Sequence, residues 1–285
     1  MSVVPHPSPR GVALLREELV KLPAFLWRDL LVAWSYRLAF VSEWGGLALQ
    51  AVMFYFVGLM INPSVLPTYG GSTATYMEFA AVGIAMSAFV QLALSRVGAG
   101  LRGEQVQGTL ESLLMTPTSP TTIQLGTVFY DLLYIPLRTG LFLLLTALAF
   151  GLHFDTGGFL PALTVLLAFI PFVWGLGVAN AGFILTFRRG AGVSGFIVTL
   201  LTLFSGAFFP LSLLPGWAEG VAEFNPIAIA IDGMRQPLLG GGGWDGVGGD
   251  LLVLLPLSAL SLAIGVLAFR AALKREKRRG SLGLY

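Results

Sequence analysis

The sequence predicts an all-α, polytopic membrane protein. Three observations carry that reading. Charged residues make up only 11% of the 285-residue chain and hydrophobic residues 55%, whereas a soluble domain carries roughly 25% charged residues. The apolar residues also gather in blocks of about 20, the length a helix needs to cross ~30 Å of hydrocarbon at ~1.5 Å per residue.

Six blocks qualify as spans, at 39–61, 74–95, 132–152, 160–187, 193–214 and 251–270, within a single transmembrane domain covering 1–285. The fourth is long enough to require tilt. Chain-breaking residues fall where turns are needed: Asn62 and Pro63 close the first block, Gly157 and Gly158 precede the fourth, and the glycine run at 240–243 precedes the sixth. Basic residues near span ends stay preferentially on the cytoplasmic side. Alternate loops place 15 of the 17 Lys and Arg residues on one side, leaving Arg138 inside the third span and Arg235 on the opposite face. Both termini are therefore expected in the cytoplasm. The net charge of +2 reflects this topology rather than nucleic-acid binding.

Ahead of the first span, residues 11–38 carry Leu14, Leu15, Leu19, Leu22, Leu26, Leu30 and Leu31 at helical spacing, with charges between them and aromatics at Phe25, Trp27, Trp34 and Tyr36. This predicts an amphipathic helix lying in the membrane interface and bent at Pro23. The segment is too long and too charged for a cleavable signal, so the first span is expected to remain as an anchor.

The loop between the second and third spans predicts a short cytoplasmic helix over 101–118. Val106, Leu110, Leu113 and Leu114 form one stripe and Glu104, Gln107 and Glu111 another. Gly103 and Gly108 permit bending, Pro117 stops the helix, and Ser119 followed by Pro120 supplies N-cap and N1 chemistry for the next one. A stiff element jointed to two spans would transmit force to both.

Glu104, Gly108, Thr109, Leu110, Glu111, Leu114, Thr116 and Pro117 resemble the signature of ABC-2 type ABC-transporter permeases. In that family the segment is the coupling helix that docks in a groove of the ATPase subunit. A second stretch is similar to the family's region between the last two spans: Ser205, Gly206, Phe209, Pro210, Leu214, Pro215, Trp217, Asn225, Pro226, Asp232 and Arg235. The resemblance covers most of the chain. It implies a drug- or lipid-exporter-like permease in the cell's inner (plasma) membrane, paired with a second permease copy, identical or not, above two ABC ATPase subunits.

The engine must be separate. A phosphate-binding loop needs Lys between Gly and Ser or Thr, but Lys21, Lys274 and Lys277 follow Val20, Leu273 and Glu276. ATP and Mg are thus expected on the partner ATPase and no cofactor on this chain. With no cysteine and with His6 and His153 isolated, a thiolate site, a metal site or a catalytic centre is not expected.

Residues 210–243 predict short re-entrant extracellular helices bounded by Pro215, Pro226 and Pro237, dipping part-way into the outer leaflet; such backbone requires cover by protein or water. The resemblance implies that this lid caps the translocation path, with an outer gate formed by Pro210, Pro215, Trp217, Phe224, Asn225, Pro226 and Arg235. Trp and Phe there would equally serve as interfacial anchors. Arg235 either pairs with Asp232, three residues earlier, or meets an anionic group of the substrate. In the third span, the cheapest register puts Asp131 at the cytoplasmic interface and lets Arg138 snorkel to the same side. Gly175, Ala179 and Gly182, or Gly177 and Ala181, offer small-residue faces for close helix packing. The functional expectation is a permease subunit exporting an amphiphilic drug, lipid or lipid-linked substrate. An ion-gradient-driven transporter would need titratable groups at mid-membrane, where Asp131 is the one acidic candidate and sits too shallow.

Overall fold

The structure, a computed structural model, describes residues 22–70, 72–106, 120–186, 191–241 and 243–279. It is helical almost throughout. Helix α1 (Leu22–Ser35) opens with Pro23 in its first turn, where the missing N–H has no intrahelical partner to lose. The expected bend at Pro23 lies instead at Tyr36 (φ −95°, ψ 56°), after which α2 (Arg37–Gly58) begins. Asn62 then caps a 3-10 turn at Pro63–Val65 by accepting from the Ser64 N–H. A short antiparallel ladder, β1 (Thr68–Tyr69) with β2 (Ser72–Thr73), leads to α3 (Tyr76–Val106). Thr75 and Glu78 start α3 as a capping box: the Thr75 N–H donates to Glu78 Oε2 (2.8 Å) and the Glu78 N–H to Thr75 Oγ1 (3.3 Å).

Helix α4 (Pro120–Phe150) begins at the proline expected to start it. It is followed by α5 (Phe159–Thr186), α6 (Ala191–Leu203), α7 (Gly216–Glu223), α8 (Pro226–Leu239) and α9 (Val247–Arg279). Among the described residues five helices are long and apolar enough to cross a membrane: Arg37–Gly58, Tyr76–Ser95, Leu133–Phe150, Thr156–Ile184 and Val247–Ala272. The expected fifth span at 193–214 is interrupted. Its helix, α6, has 13 residues, about 20 Å of rise, and stops at Leu203. The chain then turns through Gly206 (φ +67°), a conformation that favours glycine.

Helix α3 is the central post. Its membrane segment is 83% buried, against 12% for α2 and 17% for that of α9, so the outer helices keep broad apolar faces for lipid or for another chain. Phe79, Ile84, Met86, Val90, Phe169 and Val173 fill the centre where α3 meets α5. The most extensive helix pairing is α5 with α9. A Cβ at Gly175 would overlap the Ser261 backbone and one at Gly265 the Gly175 carbonyl, so these glycines permit the close crossing. Ser258 Oγ donates to the Ala168 carbonyl (2.8 Å) and Ser261 Oγ to that of Phe172 (2.9 Å) across the same seam. Gly175 and Gly182 both face α9, one of the two small-residue faces anticipated.

The elements define two ends. At the lid end, α7, α8, the β-ladder and the α4–α5 connection meet; Asp155 N–H donates to the Leu238 carbonyl (2.8 Å) and Tyr76 Oη to that of Phe208 (2.9 Å). At the opposite, basic end, α3 continues beyond Ser95, α4 begins and α9 carries Arg270, Lys274 and Arg275. The helix expected at 101–118 is not separate at its start. Residues 101–106 continue α3 straight through Gly103, and 107–119 lie outside the described residues.

Candidate functional site

The helices of the 210–243 segment are held by a buried cation, Arg235. Asn225 N-caps α8, accepting from the Ile227 N–H (3.0 Å) while its Nδ2 donates to the carbonyls of Leu201 (2.7 Å) and Phe204 (3.1 Å). That double use joins the start of α8 to the end of α6, whose last carbonyls lack helical partners. Pro226 follows at N1, where its fixed φ suits a helix start. The helix then carries Arg235 inward, 3% exposed. Its guanidinium donates to the carbonyls of Phe79 (3.0 and 3.2 Å), Gly206 (2.9 Å) and Ala207 (3.0 Å), and its Cζ stands 3.5 Å from the Phe79 ring centroid. The turn after α6 comes so close to α3 that a Cβ at Gly83 would overlap the Ala207 carbonyl.

Asp232, the expected partner on the same helix, makes no direct ion pair with Arg235 within 4.0 Å among the described residues. Asp232 accepts from Tyr69 Oη (3.0 Å) and Gln236 Nε2 (3.3 Å), and the side chain of Arg235 is spent on backbone carbonyls. Burial pushes the Tyr69 phenol above the ordinary tyrosine range, with Asp232 adding to the shift and Arg235 opposing it, so Tyr69 stays a donor at neutral pH.

The other lid residues separate by exposure. Pro210 and Asn225 are buried, whereas Trp217 and Phe224 are 71% and 83% exposed, with Trp217 edge-on to Phe204 at 6.2 Å. Pro215 caps α7 as expected, but Pro237 lies within α8 rather than bounding it. At the basic end Glu104 falls in the last turn of α3; Gly108, Thr109, Leu110, Glu111, Leu114 and Pro117 lie outside the described residues.

Three features escaped sequence reasoning. Glu78 Oε1 accepts from the His153 N–H (2.9 Å), tying the α4–α5 connection to the capping box; the Thr75-to-Glu78 spacing was the available signal. An apolar cavity of about 800 Å³ opens between α4 and α5, lined by Pro136, Leu144, Ala147, Phe159 and Leu163 beneath Met234 of α8. Arg138 is 8% exposed and so is buried in protein instead of snorkelling to water.

Comparison with known proteins identifies the family. The family described as "ABC-2 type transporter" matches residues 21–239, ending at the last residue of α8 and so including the Arg235 clamp. The chain is 30% identical over 195 residues to the inner membrane transport permease YadH of Escherichia coli (strain K12), covering 67% of this chain and 73% of YadH. It is 25% identical over 207 residues to the daunorubicin resistance ABC transporter permease protein DrrB1 of Streptomyces coeruleorubidus, covering 71% of each. It is also 25% identical over 185 residues to the linearmycin resistance permease protein LnrN of Bacillus subtilis (strain 168), covering 64% of this chain and 47% of LnrN. Helices able to cross a bilayer, a lid stitched to their ends and this matched range lead to one conclusion: the chain belongs to the ABC-2 type transporter family and is a multi-pass membrane permease.

Proposed function

We propose that the chain is the transmembrane subunit of an ATP-driven exporter of an amphiphilic drug, lipid or lipid-linked substrate in the inner (plasma) membrane, with both termini cytoplasmic. One observation carries the proposal. Helix α3 runs 11 residues past Ser95, where its apolar span ends, and α4 starts 13 residues before Leu133, where its own begins. Rises of roughly 16 and 20 Å make a two-helix stalk on the basic side, and α3 packs against α4. The segment 107–119, with Gly108, Thr109, Leu110, Glu111, Leu114 and Pro117, links the two helices along the sequence. Two separate ATPase subunits, which bind ATP and Mg, push on that linking segment when they close, and the stalk carries the displacement into the spans.

A second permease copy, identical or not, completes the path. Phe196, Ile197, Leu200 and Leu203 of α6 and Trp217 and Phe224 of the lid present apolar surface outward, and α6 packs little against its own chain. In this reading α6 and the turn after it form the fifth of six crossings, and the lid around Pro210, Pro215, Trp217, Phe224, Asn225, Pro226 and Arg235 forms the outer gate. The resistance permeases among the relatives and the apolar cavity favour amphiphilic cargo. Arginine at Leu110 or Leu114 should abolish transport while the protein still reaches the membrane with its ATPase bound or unbound as measured by co-purification. Normal transport by these variants would refute the coupling role. Transport that persists on ATP depletion and tracks an ion gradient would favour a secondary transporter.

A further inference from the structure

We infer that Arg138 is the anchor of a binding site for the phosphate of an anionic amphiphile in the leaflet at the basic end. The residue lies five positions beyond Leu133, the start of the apolar part of α4, about 7.5 Å along the helix axis. It is as enclosed as a core residue, at 8% exposure. Yet its Nε has no hydrogen-bond partner, and Nη2 reaches the Glu43 carbonyl at only 3.5 Å, the outer limit for such a bond. The Trp44 ring covers the guanidinium at 5.9 Å.

Arg235 shows what this chain does with a buried guanidinium whose role is internal. It receives three carbonyls in four bonds and a ring at 3.5 Å. Arg138 has five N–H donors and one long contact. Among the described residues no carboxylate pairs with it within 4.0 Å. A cation at membrane depth requires an opposite charge or full hydrogen bonding, and the described residues supply neither; in the inferred site the complement is a bound anion.

The surroundings fit a phospholipid-like anion. The flanks are bare: a Cβ at Gly45 or Gly46 on α2, or at Gly140 on α4, would meet nothing within 4 Å. Leu137 and Leu141 on α4 are exposed beside Arg138 and offer a track for an acyl chain. A guanidinium binds two phosphate oxygens in fork geometry. The leaflet on the basic side is the one in which anionic lipids concentrate when that side is cytoplasmic. The assignment stands on the geometry around Arg138 and does not require the coupling reading above.

The test uses the full chain purified in detergent and measures its thermal midpoint with dioleoylphosphatidylglycerol, dioleoylphosphatidylcholine or inorganic phosphate added. Phosphatidylglycerol should raise the wild-type midpoint more than the zwitterionic lipid does. Arg138→Gln should lose that increment, Arg138→Lys should keep part of it, and Arg270→Gln, an exposed arginine on α9, should keep all of it. Equal increments in wild type and Arg138→Gln, or loss in Arg270→Gln as well, would overturn the site. An inorganic-phosphate shift equal to that of phosphatidylglycerol would assign the anion to a soluble source and overturn the amphiphile. Should Arg138→Gln not be recovered folded, native mass spectrometry of the wild type decides: preferential retention of phosphatidylglycerol supports the site, and equal retention of both lipids overturns it.

Discussion

Replacing Arg235 with methionine strips the hydrogen-bond donors from three carbonyls while keeping an unbranched side chain of similar reach. Gly206 and Ala207 lie in a non-helical turn, are buried, and take their side-chain bonds from Arg235. Each stranded carbonyl costs ~1–3 kcal/mol. Loss of the Phe79 bonds and of the ring contact adds to this, and relief from burying a charge subtracts. A net loss of roughly 3 kcal/mol follows. At ~2–4 °C per kcal/mol for a chain of this size, the unfolding midpoint should fall by roughly 6–12 °C. Thermal unfolding of the purified protein, followed by tryptophan fluorescence, measures it. Lysine has three donors on a single nitrogen, cannot span carbonyls on α3 and on the turn together, and should recover only part of the loss. A methionine variant as stable as wild type would refute the clamp, as would lysine performing as well as arginine.

Other perturbations probe separate parts of the fold. Asn225→Ala removes a helix cap and frees the Leu201 and Phe204 carbonyls; a cap alone is worth ~1 kcal/mol, so the midpoint should fall and hydrogen exchange should rise at Ile227. Gly265→Leu forces α9 away from α5, since even a Cβ overlaps the Gly175 carbonyl, and should sharply reduce folded protein recovered from membranes; an unchanged yield would contradict the close crossing. Tyr69 has a folded-state pKa raised above its ordinary 10.0. Its contribution should therefore be complete below pH 10 and fade as pH rises toward the folded value. Difference absorbance should show tyrosine ionisation extending above pH 10, and Tyr69→Phe should reduce that late amplitude.

Local chemistry was legible in the sequence wherever one residue type dictates backbone geometry. Pro120 starts α4, Asn225 and Pro226 start α8, and Asn62 with Pro63 ends the first crossing, because a cap or a fixed φ acts on its nearest neighbours alone. The early end of α6 was hidden because Phe204, Ala207, Phe208 and Phe209 keep hydropathy high through a turn that is covered by protein rather than inserted as helix. The backbone contacts of Arg235 were hidden for a related reason. Asp232 is visible as a letter three positions away, whereas the carbonyls of Gly206 and Ala207 exist at every residue and become special only where a helix stops. A lone sequence does not reveal that the Glu43 carbonyl and the Trp44 ring of α2 lie against Arg138. The 800 Å³ cavity between α4 and α5 likewise arises from how two helices splay, which no spacing of residues encodes.

The four bonds of Arg235 also restrict how the permease can move. Sliding the turn after α6 away from α3, or tilting α8 off both, would expose a bare positive charge and unmatched backbone oxygens to a medium that solvates neither. Large relative motion among these three pieces is thus the expensive coordinate. On the proposed coupling mechanism, displacement arriving from the stalk would move the whole block as one solid body, and an aperture would form along its outer boundary and not through its middle.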